Sequence, residues 1–350
     1  MNAVEQSVAS GLVRVAAATR WQRLALCGFF TGLSLVSIGG RAEGDAATTA
    51  SADAQRWLQR IHQATRKLSF SGVMVYQRAD HSETSRIARL VSSSMTEERL
   101  ESLDGMPREV IRRGDEVISY LPGSQTVKRD RSQPVGTFPT VLPASLSELE
   151  ENYEVRAGKQ ERVAGFECQV IELSPRDQLR YGYRLWADMA SGMLIKSRVF
   201  NERHESVEQF YFSELQIGPV SREKLRSRFQ HRAKGWRVQE SAVSESRLDE
   251  EGWQVPGQLN GFRKRTELKR RLGGTAAVRH VVMSDGLTAI SLFIEPDMPV
   301  SQTPLGAARQ GVVSLFSRQL SGYRVTAMGE APLESLRLIA NSVEYRRPSP

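Results

Sequence analysis

The side chains best suited to catalysis or to metal binding are few in this chain. Of its 350 residues, five are histidine and two are cysteine. The histidines are His62, His81, His204, His231 and His280. None of them forms an HExxH or His-x-x-x-His pair, which would place two ligands on one helical face. The sequence also lacks a CxxC pair, a Gly-x-Ser-x-Gly elbow, a Walker loop and a GxGxxG fingerprint. The residues therefore predict no catalytic site, metal site or cofactor, and they favour a protein that works by binding.

The N-terminal region has the layout of a secretory signal peptide. Arginines precede an uncharged, mostly apolar run of fifteen residues, LALCGFFTGLSLVSI, at 24–38. Gly40 and Ala42 supply small residues for the −3 and −1 positions of a cleavage site. A membrane anchor is the alternative, but a bilayer-spanning helix needs about twenty apolar residues. The sequence predicts that residues 1–42 are a signal peptide and that the protein is exported.

Cleavage at this site leaves Cys168 as the one cysteine of the mature chain. A disulfide framework is thereby excluded, although an exported protein enters a compartment that permits disulfides. Cys168 lies in a strand-like run at 166–170 with no histidine nearby in sequence, so we expect a buried thiol and not a nucleophile. Stability must then come from apolar burial, for which about 300 residues are enough to build two cores.

Residues 161–217 predict the architecture that would position a binding site. Four strand-like runs are separated there by turn residues at 175–177, 188–192 and 201–206. Consecutive strands joined by short loops form an antiparallel meander, and no helical crossover stands between them. A long meander curls around its own core or around a guest molecule.

Aromatic side chains in the strand-like runs are the candidates for lining an apolar cavity. They are Tyr76, Trp186, Phe210 and Phe212. Alternation along a strand places Phe210 and Phe212 on one face and Tyr211 on the other. Ordinary core packing is the alternative for each of them.

The periodicity of the whole chain predicts two α+β domains. The first, 53–220, begins with a helix from Asp53 to Leu68 that follows a small-residue spacer at 44–52. A hairpin turning at Gly114-Asp115, a short helix capped by Ser145, and the meander follow. The second, smaller domain, 251–345, has strand pairs turning at 284–286 and 320–322 and a final helix opened by Pro332. Residues 221–250 are basic and poor in apolar residues, which predicts a linker.

Positive charge is concentrated in one part of the chain. The net charge is +8, and residues 221–271 alone carry fourteen Lys and Arg against seven Asp and Glu. Such a surface attracts an anionic partner, either a phosphorylated lipid or an acidic protein segment, although solvated surface charge is the alternative. Nucleic acid is a poor candidate for an exported protein. The candidate anion contacts are Arg263, Lys264, Arg265, Arg270 and Arg271.

Several ordered motifs resemble one known family. They are Glu98-Arg99-Leu100, Ser102-Leu103-Asp104-Gly105, Pro107-Arg108-Glu109-Val110, Glu161-Arg162-Val163-Ala164-Gly165, Pro175-Arg176-Asp177, Arg180-Tyr181-Gly182-Tyr183-Arg184-Leu185-Trp186, Arg279-His280, Ser284-Asp285-Gly286-Leu287, Phe293-Ile294-Glu295, Val325-Thr326 and Gly329-Glu330. They extend over about residues 55–345, nearly all of the mature chain. On these motifs the chain is similar to the periplasmic sigma-E regulatory proteins of the RseB/MucB family.

The resemblance implies a first domain like that of LolA and LolB, a curved antiparallel half-barrel with helices over its open face, and a smaller C-terminal α+β domain. It also implies that the protein binds the periplasmic part of a membrane-spanning anti-sigma factor of RseA or MucA type and shields it from site-1 proteolysis. Lipopolysaccharide or mislocalised lipid is expected to release this shield. The oligomeric state stays open, and a homo-oligomer is compatible with the sequence.

Two other functions stay open from the sequence. A lipid or lipoprotein carrier resembling LolA would use the same first domain, but a shuttle needs only the cavity and the second domain argues against it. A hydrolase of an unfamiliar type is the third alternative.

Overall fold

The computed structural model describes residues 42–78, 81–131, 147–240, 243–245, 247–271, 277–297, 305–310 and 312–347. The predicted signal peptide lies outside the described residues, apart from Ala42 at the start of the first helix. The described residues form one 12-stranded sheet, one 8-stranded sheet and a small two-stranded pair, together with a few helices.

The first sheet consists of two antiparallel meanders that meet at its centre. Its strands are β1 (Phe70–Arg78), β2 (His81–Val91), β3 (Thr96–Ser102), β4 (Glu109–Arg113), β5 (Glu116–Leu121), β6 (Thr126–Arg131), β7 (Tyr153–Val163), β8 (Phe166–Pro175), β9 (Gly182–Asp188), β10 (Leu194–Phe200), β11 (Ser206–Ile217) and β12 (Arg237–Glu240). The spatial order is β12-β6-β5-β4-β3-β2-β1-β11-β10-β9-β8-β7. The predicted meander is confirmed as β7 to β11, and the sheet curls into the predicted half-barrel.

Helix α1 (Ala42–Lys67) packs across strands β7, β8 and β10. Ala54, Leu58 and Ile61 recur at helical spacing and are buried against the sheet. The helix begins well before the predicted start at Asp53, because the supposed spacer is rich in alanine, the residue with the highest helix propensity. None of the described helices combines the length and the apolar character needed to cross a bilayer.

The short helix predicted from Ser145 is α2 (Ser147–Asn152). Residues 145 and 146 lie outside the described part of the chain, so the predicted cap does too. Leu149 of α2 is fully buried in the core of the first sheet. The helix therefore places its glutamates beside the second sheet while one apolar residue anchors it to the first.

The second sheet carries the smaller α+β domain. Its elements are β13 (Val243–Glu245), β15 (Gln258–Leu259), β16 (Phe262–Arg271), β17 (Ala277–Ser284), β18 (Ala289–Pro296), β19 (Gly306–Gln310), β20 (Val313–Leu320) and β21 (Tyr323–Gly329), while β14 (Trp253–Gln254) pairs with β22 (Glu344–Tyr345). Helix α3 (Leu333–Asn341) follows Pro332, as predicted, and buries Leu336, Ile339 and Ala340 against the sheet.

The segment predicted as a linker packs on the first sheet over much of its length. Leu225 is buried beside Ala88 of β2, and the Phe229 ring lies 6.5 Å from the Tyr120 ring of β5 and 6.1 Å from Trp236. Strand β12 then pairs in parallel with β6, and β13 joins the second sheet. The few apolar residues of the basic segment thus find partners on the face of the sheet opposite α1, called here the outer face.

Candidate functional site

A buried ion pair joins the two sheets. Arg180 lies in the loop between β8 and β9, and Asp285 lies in the turn between β17 and β18. The Arg180 Nε is 2.8 Å from the Asp285 Oδ2, and both side chains are 0% exposed. Removing two charges from water is costly, so such a pair persists only where further hydrogen bonds satisfy both groups.

The Asp285 carboxylate has three further donors. The backbone N–H groups of Leu287 and Thr288 donate to Oδ1 at 3.0 and 2.7 Å, and the Tyr153 hydroxyl donates to Oδ2 at 3.1 Å. Burial raises the pKa of Asp285, and the Arg180 guanidinium and these hydrogen bonds oppose the rise. Tyr153 belongs to β7, so the carboxylate ties the hairpin of the second sheet to the edge strand of the first.

The Arg180 guanidinium has three further partners. It donates to the Asp177 carboxylate and to the Asn260 carbonyl, and it lies 4.7 Å from the centre of the Phe262 ring. Gly261, between Asn260 and Phe262, has a φ of +81°, and a Cβ there would overlap Asn152 and Arg180. Both the conformation and the space at this position therefore require glycine.

Tyrosine hydroxyls extend this polar interface. The Tyr183 and Thr288 hydroxyls lie 3.3 Å apart, and the rings of Tyr153 and Tyr183 make an edge contact at 6.2 Å. Arg309 of the second sheet donates to the Tyr181 hydroxyl at 3.1 Å. Burial raises the pKa of Tyr153 and of Tyr183 well above the usual range, so both hydroxyls stay protonated and able to donate. The interface is therefore fixed by directed contacts as well as by apolar packing.

Three of the predicted anion contacts are already engaged with carboxylates. Arg263 lies 3.0 Å from Glu151, and Arg265 pairs with Glu148, so both reach across to helix α2 of the first sheet. Lys264 lies 2.7 Å from Glu267 of its own strand. Arg270 and Arg271 end β16, and their side chains fall outside the described part of the chain. The structure thus makes Arg263 and Arg265 part of the contact between the sheets.

The predicted cavity residues do not share one face of the sheet. The register aligns Leu185, Ser197, Phe210 and Tyr76 in one row across β9, β10, β11 and β1. Phe212 shares the face of Phe210, and both are buried in the core beneath α1, with ring centres 6.4 Å apart. Trp186 follows Leu185 on its strand, so it points to the outer face.

On the outer face Trp186 is covered by charged side chains. Its Nε1 donates to Glu161 at 2.7 Å, and the Lys196 ammonium lies 4.8 Å from the ring centre. Tyr76, Phe210 and Phe212 therefore share one face, whereas Trp186 belongs to the same buried cluster from the other face of the sheet. That these four residues line an apolar site stays a prediction.

A second buried ion pair lies on the outer face, where the sequence indicated no site. The Arg99 Nε on β3 lies 2.6 Å from the Glu109 carboxylate on β4, and the Glu109 side chain is fully buried. Glu109 also accepts hydrogen bonds from the Ser227 hydroxyl and, at 3.1 Å, from the backbone N–H of Arg228. This carboxylate therefore tethers the basic segment to the sheet.

The motifs that carry the family resemblance meet at these two places. Arg99 and Glu109 come from two of the motifs, and Arg180 and Asp285 come from two others. All four residues belong to the family motifs, but the sequence does not indicate that they pair, because each stands in a turn or a strand where local chemistry already explains its type.

Two family models match the chain. The MucB/RseB N-terminal domain covers residues 53–232, and the MucB/RseB C-terminal domain covers residues 247–344. The chain belongs to the MucB/RseB family. The predicted resemblance is thereby confirmed.

Relatives in this family match nearly the whole chain. The sigma factor AlgU regulatory protein MucB of Pseudomonas aeruginosa is 32% identical over 308 residues, covering 84% of this chain and 92% of that protein. The sigma-E factor regulatory protein RseB of Haemophilus influenzae is 24% identical over 310 residues, covering 84% and 91%. The solved complex of Pseudomonas aeruginosa MucA and MucB has a TM-score of 0.67 at 28% identity, covering 85% of this chain and 100% of that one. A crystal structure of MucB has a TM-score of 0.61 at 28% identity, covering 85% and 99%.

The MucB/RseB match places the two buried ion pairs within the family's domain plan. Arg99, Glu109 and Arg180 fall in the N-terminal family domain, and Asp285 falls in the C-terminal one. The N-terminal match also includes the first part of the basic segment, which packs on the first sheet. In this MucB/RseB protein, the Arg180–Asp285 pair is therefore a contact between the two family domains.

Proposed function

We propose that this protein is a periplasmic negative regulator of the sigma-E (AlgU-type) envelope-stress response, and that it binds the periplasmic part of a membrane-spanning anti-sigma factor. The observation that carries the proposal is family membership across both domains. The Pseudomonas aeruginosa relative is an AlgU regulatory protein, and solved structures show MucB in complex with MucA.

The bound protein shields the anti-sigma factor from regulated proteolysis, and lipopolysaccharide or another lipid releases the shield. The two ligands oppose each other by linkage if lipid prefers a domain arrangement that cannot hold the anti-sigma segment. A ligand of this kind shifts the equilibrium only by its difference in affinity for the two arrangements.

The contacts of the basic residues support a route for this competition. Arg263 and Arg265 pair with carboxylates of α2 across the domain interface. A lipid phosphate that takes these arginines displaces Glu151 and Glu148 and removes contacts that hold the domains together. Acyl chains supply most of the affinity, because each buried methylene contributes about 0.8 kcal/mol.

The proposed activity is binding without bond breakage. Within the described ranges no three His, Cys, Asp or Glu side chains are grouped to hold a metal ion. Both curated relatives are named as regulatory proteins. Arg180, Asp285 and Glu109 are each engaged in contacts that join elements of the fold.

Calorimetry with residues 43–350 and the purified periplasmic domain of the cognate anti-sigma factor tests the proposal. We expect saturable binding with a dissociation constant of about 1 μM or tighter, as is typical of specific complexes. Prior addition of lipopolysaccharide is expected to weaken this binding. Absence of binding at any concentration would remove the regulatory proposal, and binding that lipopolysaccharide leaves unchanged would remove the release step.

A further inference from the structure

A small cleft opens on the outer face of the first sheet, between strands β4 to β6 and the basic segment that crosses them. Its volume is about 210 Å³. The floor is apolar and is formed by Ile111, Ile118, Tyr120 and Val127, which are buried or half-buried. Pockets that hold whole small molecules usually measure about 300–1,000 Å³. The cleft therefore has room for one large apolar side chain.

The charged side chains that the structure describes in the cleft lining are all positive. They are Arg113, Arg129 and Lys234, and no aspartate or glutamate is among the described lining residues. All three cations are exposed, and Arg113 also lies 3.4 Å from Glu97. An apolar group that enters the cleft is best accompanied by carboxylates on either side of it.

Strand β12 gives the cleft an open edge. Within the described part of the chain, β12 pairs with β6 on one side and with no strand on the other. The Arg237 N–H donates to the Gln125 carbonyl at 2.9 Å, so the next N–H, that of Val238, points away from β6. Val238 lines the cleft, and its side chain is 53% exposed.

We propose that the outer edge of β12 and the cleft beside it, together called the β12 cleft, bind an extended acidic peptide segment. The segment adds a strand to β12 through the Val238 backbone, places one large apolar side chain in the cleft, and sets carboxylates against Arg129 and Lys234. The proposal rests on the proposed function, because the segment is taken to belong to the anti-sigma factor.

Two substitutions at Val238 separate the backbone contact from the side-chain contact. Val238→Pro removes the outward N–H and leaves the inward hydrogen bond of Arg237 in place. Val238→Ala keeps the N–H. In calorimetry with the anti-sigma periplasmic domain, we expect Val238→Pro to weaken binding about tenfold or more and Val238→Ala to weaken it about threefold at most. Equal affinities of the wild type and Val238→Pro for the anti-sigma domain would contradict the proposal that the peptide adds a strand to β12.

A charge reversal with a matched control tests the cations. The variant Arg129→Glu/Lys234→Glu is expected to weaken binding about tenfold or more. The control Lys159→Glu/Arg162→Glu makes the same change on β7, the opposite edge of the same sheet, and is expected to leave affinity within about twofold. If both double variants weakened binding equally, the loss would reflect the net charge of the protein and not the cleft, and the proposal would be overturned.

Two further readouts keep this inference distinct from the proposed function. If the wild-type protein binds no anti-sigma domain, the proposed function fails; if it binds and the β12 variants bind equally well, only the β12 cleft fails. Vesicles containing lipopolysaccharide form the second arm. If Arg129→Glu/Lys234→Glu lost vesicle binding while its anti-sigma binding stayed unchanged, the peptide proposal would be overturned and the cleft would be a lipid site. Equal urea midpoints of all variants establish that each one is folded.

Discussion

At the scale of single residues, two buried ion pairs fix the positions of separate parts of the chain. Arg180 and Asp285 connect the domains, and Arg99 and Glu109 hold the basic segment on the outer face. In each pair the carboxylate also accepts a backbone N–H. Such pairs set a specific arrangement more than they add net stability, because the gain in attraction is offset by the cost of removing both charges from water.

Replacing Asp285 with asparagine should strongly destabilise the protein. The amide keeps the shape of the carboxylate but removes the buried counter-charge of Arg180, which is left with only the partly exposed Asp177 carboxylate. We expect the free energy of unfolding, measured in urea, to fall by about 3–5 kcal/mol. Asp177→Asn is the matched control, because Asp177 pairs with the same arginine but is substantially exposed, and it should cost about 1 kcal/mol at most. A cost for Asp285→Asn no larger than that of the control would contradict this account of the interface.

Cys168 should be unreactive in the folded protein. It is fully buried, and burial raises the pKa of its thiol to about 12. At pH 8 the thiolate fraction is then on the order of 10⁻⁴, and the thiolate is the reactive species. A chain starting at residue 43 has this one cysteine. Maleimide labelling at pH 8 should be negligible without denaturant and complete in urea, whereas rapid labelling of the native protein would show that the β8 strand is open to solvent.

The sequence shows which residue types stand at these positions, but it does not show which residues they contact in the folded protein. Ser284-Asp285-Gly286 is a strong turn signal, and it explains the aspartate without any need for an arginine in another domain. Trp186 was grouped with Phe210 and Phe212 because all are aromatic. Trp186 lies on the opposite face of the sheet from Phe210, because the face of a strand residue depends on the register between strands, which pairs Trp186 with Lys196.

At the scale of elements, local patterns predicted most strands and failed in the basic segment. The hairpin at Gly114-Asp115 and the helix after Pro332 are both formed as their turn and capping chemistry indicates. Residues 221–250 carry many charges, and this composition predicted a linker. It gave no sign that Leu225, Phe229 and Trp236 would be packed. Those side chains pack on the sheet, and a charged composition alone does not show whether a segment has such partners.

Gly261→Ala should loosen the contact between the domains. The position has a positive φ, and a Cβ there meets Asn152 and Arg180. We expect a loss of about 1–3 kcal/mol in the free energy of unfolding, the usual cost of a strained backbone position. Gly257→Ala serves as the control, because a Cβ there meets nothing within 4 Å and the φ is not positive. Equal urea midpoints for the two variants would show that the close approach at Gly261 is not needed.

At the scale of the whole molecule, the two domains are joined by a buried polar centre and a charged rim. The centre is the Arg180–Asp285 pair, and the rim is formed by Arg263 and Arg265 with the glutamates of α2. Exposed ion pairs contribute little free energy individually. The Arg263–Glu151 pair, the more exposed of the two rim pairs, is therefore the part of the interface that an anionic ligand displaces most easily.

Freeing the rim arginines should favour lipopolysaccharide. In Glu148→Gln/Glu151→Gln the arginines lose their carboxylate partners, so a lipid phosphate no longer has to displace them. We expect lipopolysaccharide to bind about threefold to tenfold more tightly in calorimetry. Arg263→Ala/Lys264→Ala/Arg265→Ala should show the opposite, weaker binding. Unchanged affinity in both variants would remove the basic residues from the lipid site.

The measurement that tests the central claim most directly is cleavage of the full-length anti-sigma factor by its site-1 protease in proteoliposomes, with and without this protein. The protease attacks only the unbound fraction, so the protein at about ten times its dissociation constant should slow cleavage about tenfold. Addition of lipopolysaccharide should restore the original rate. An unchanged cleavage rate under conditions where the complex has formed would contradict the claim that this protein acts by covering its partner.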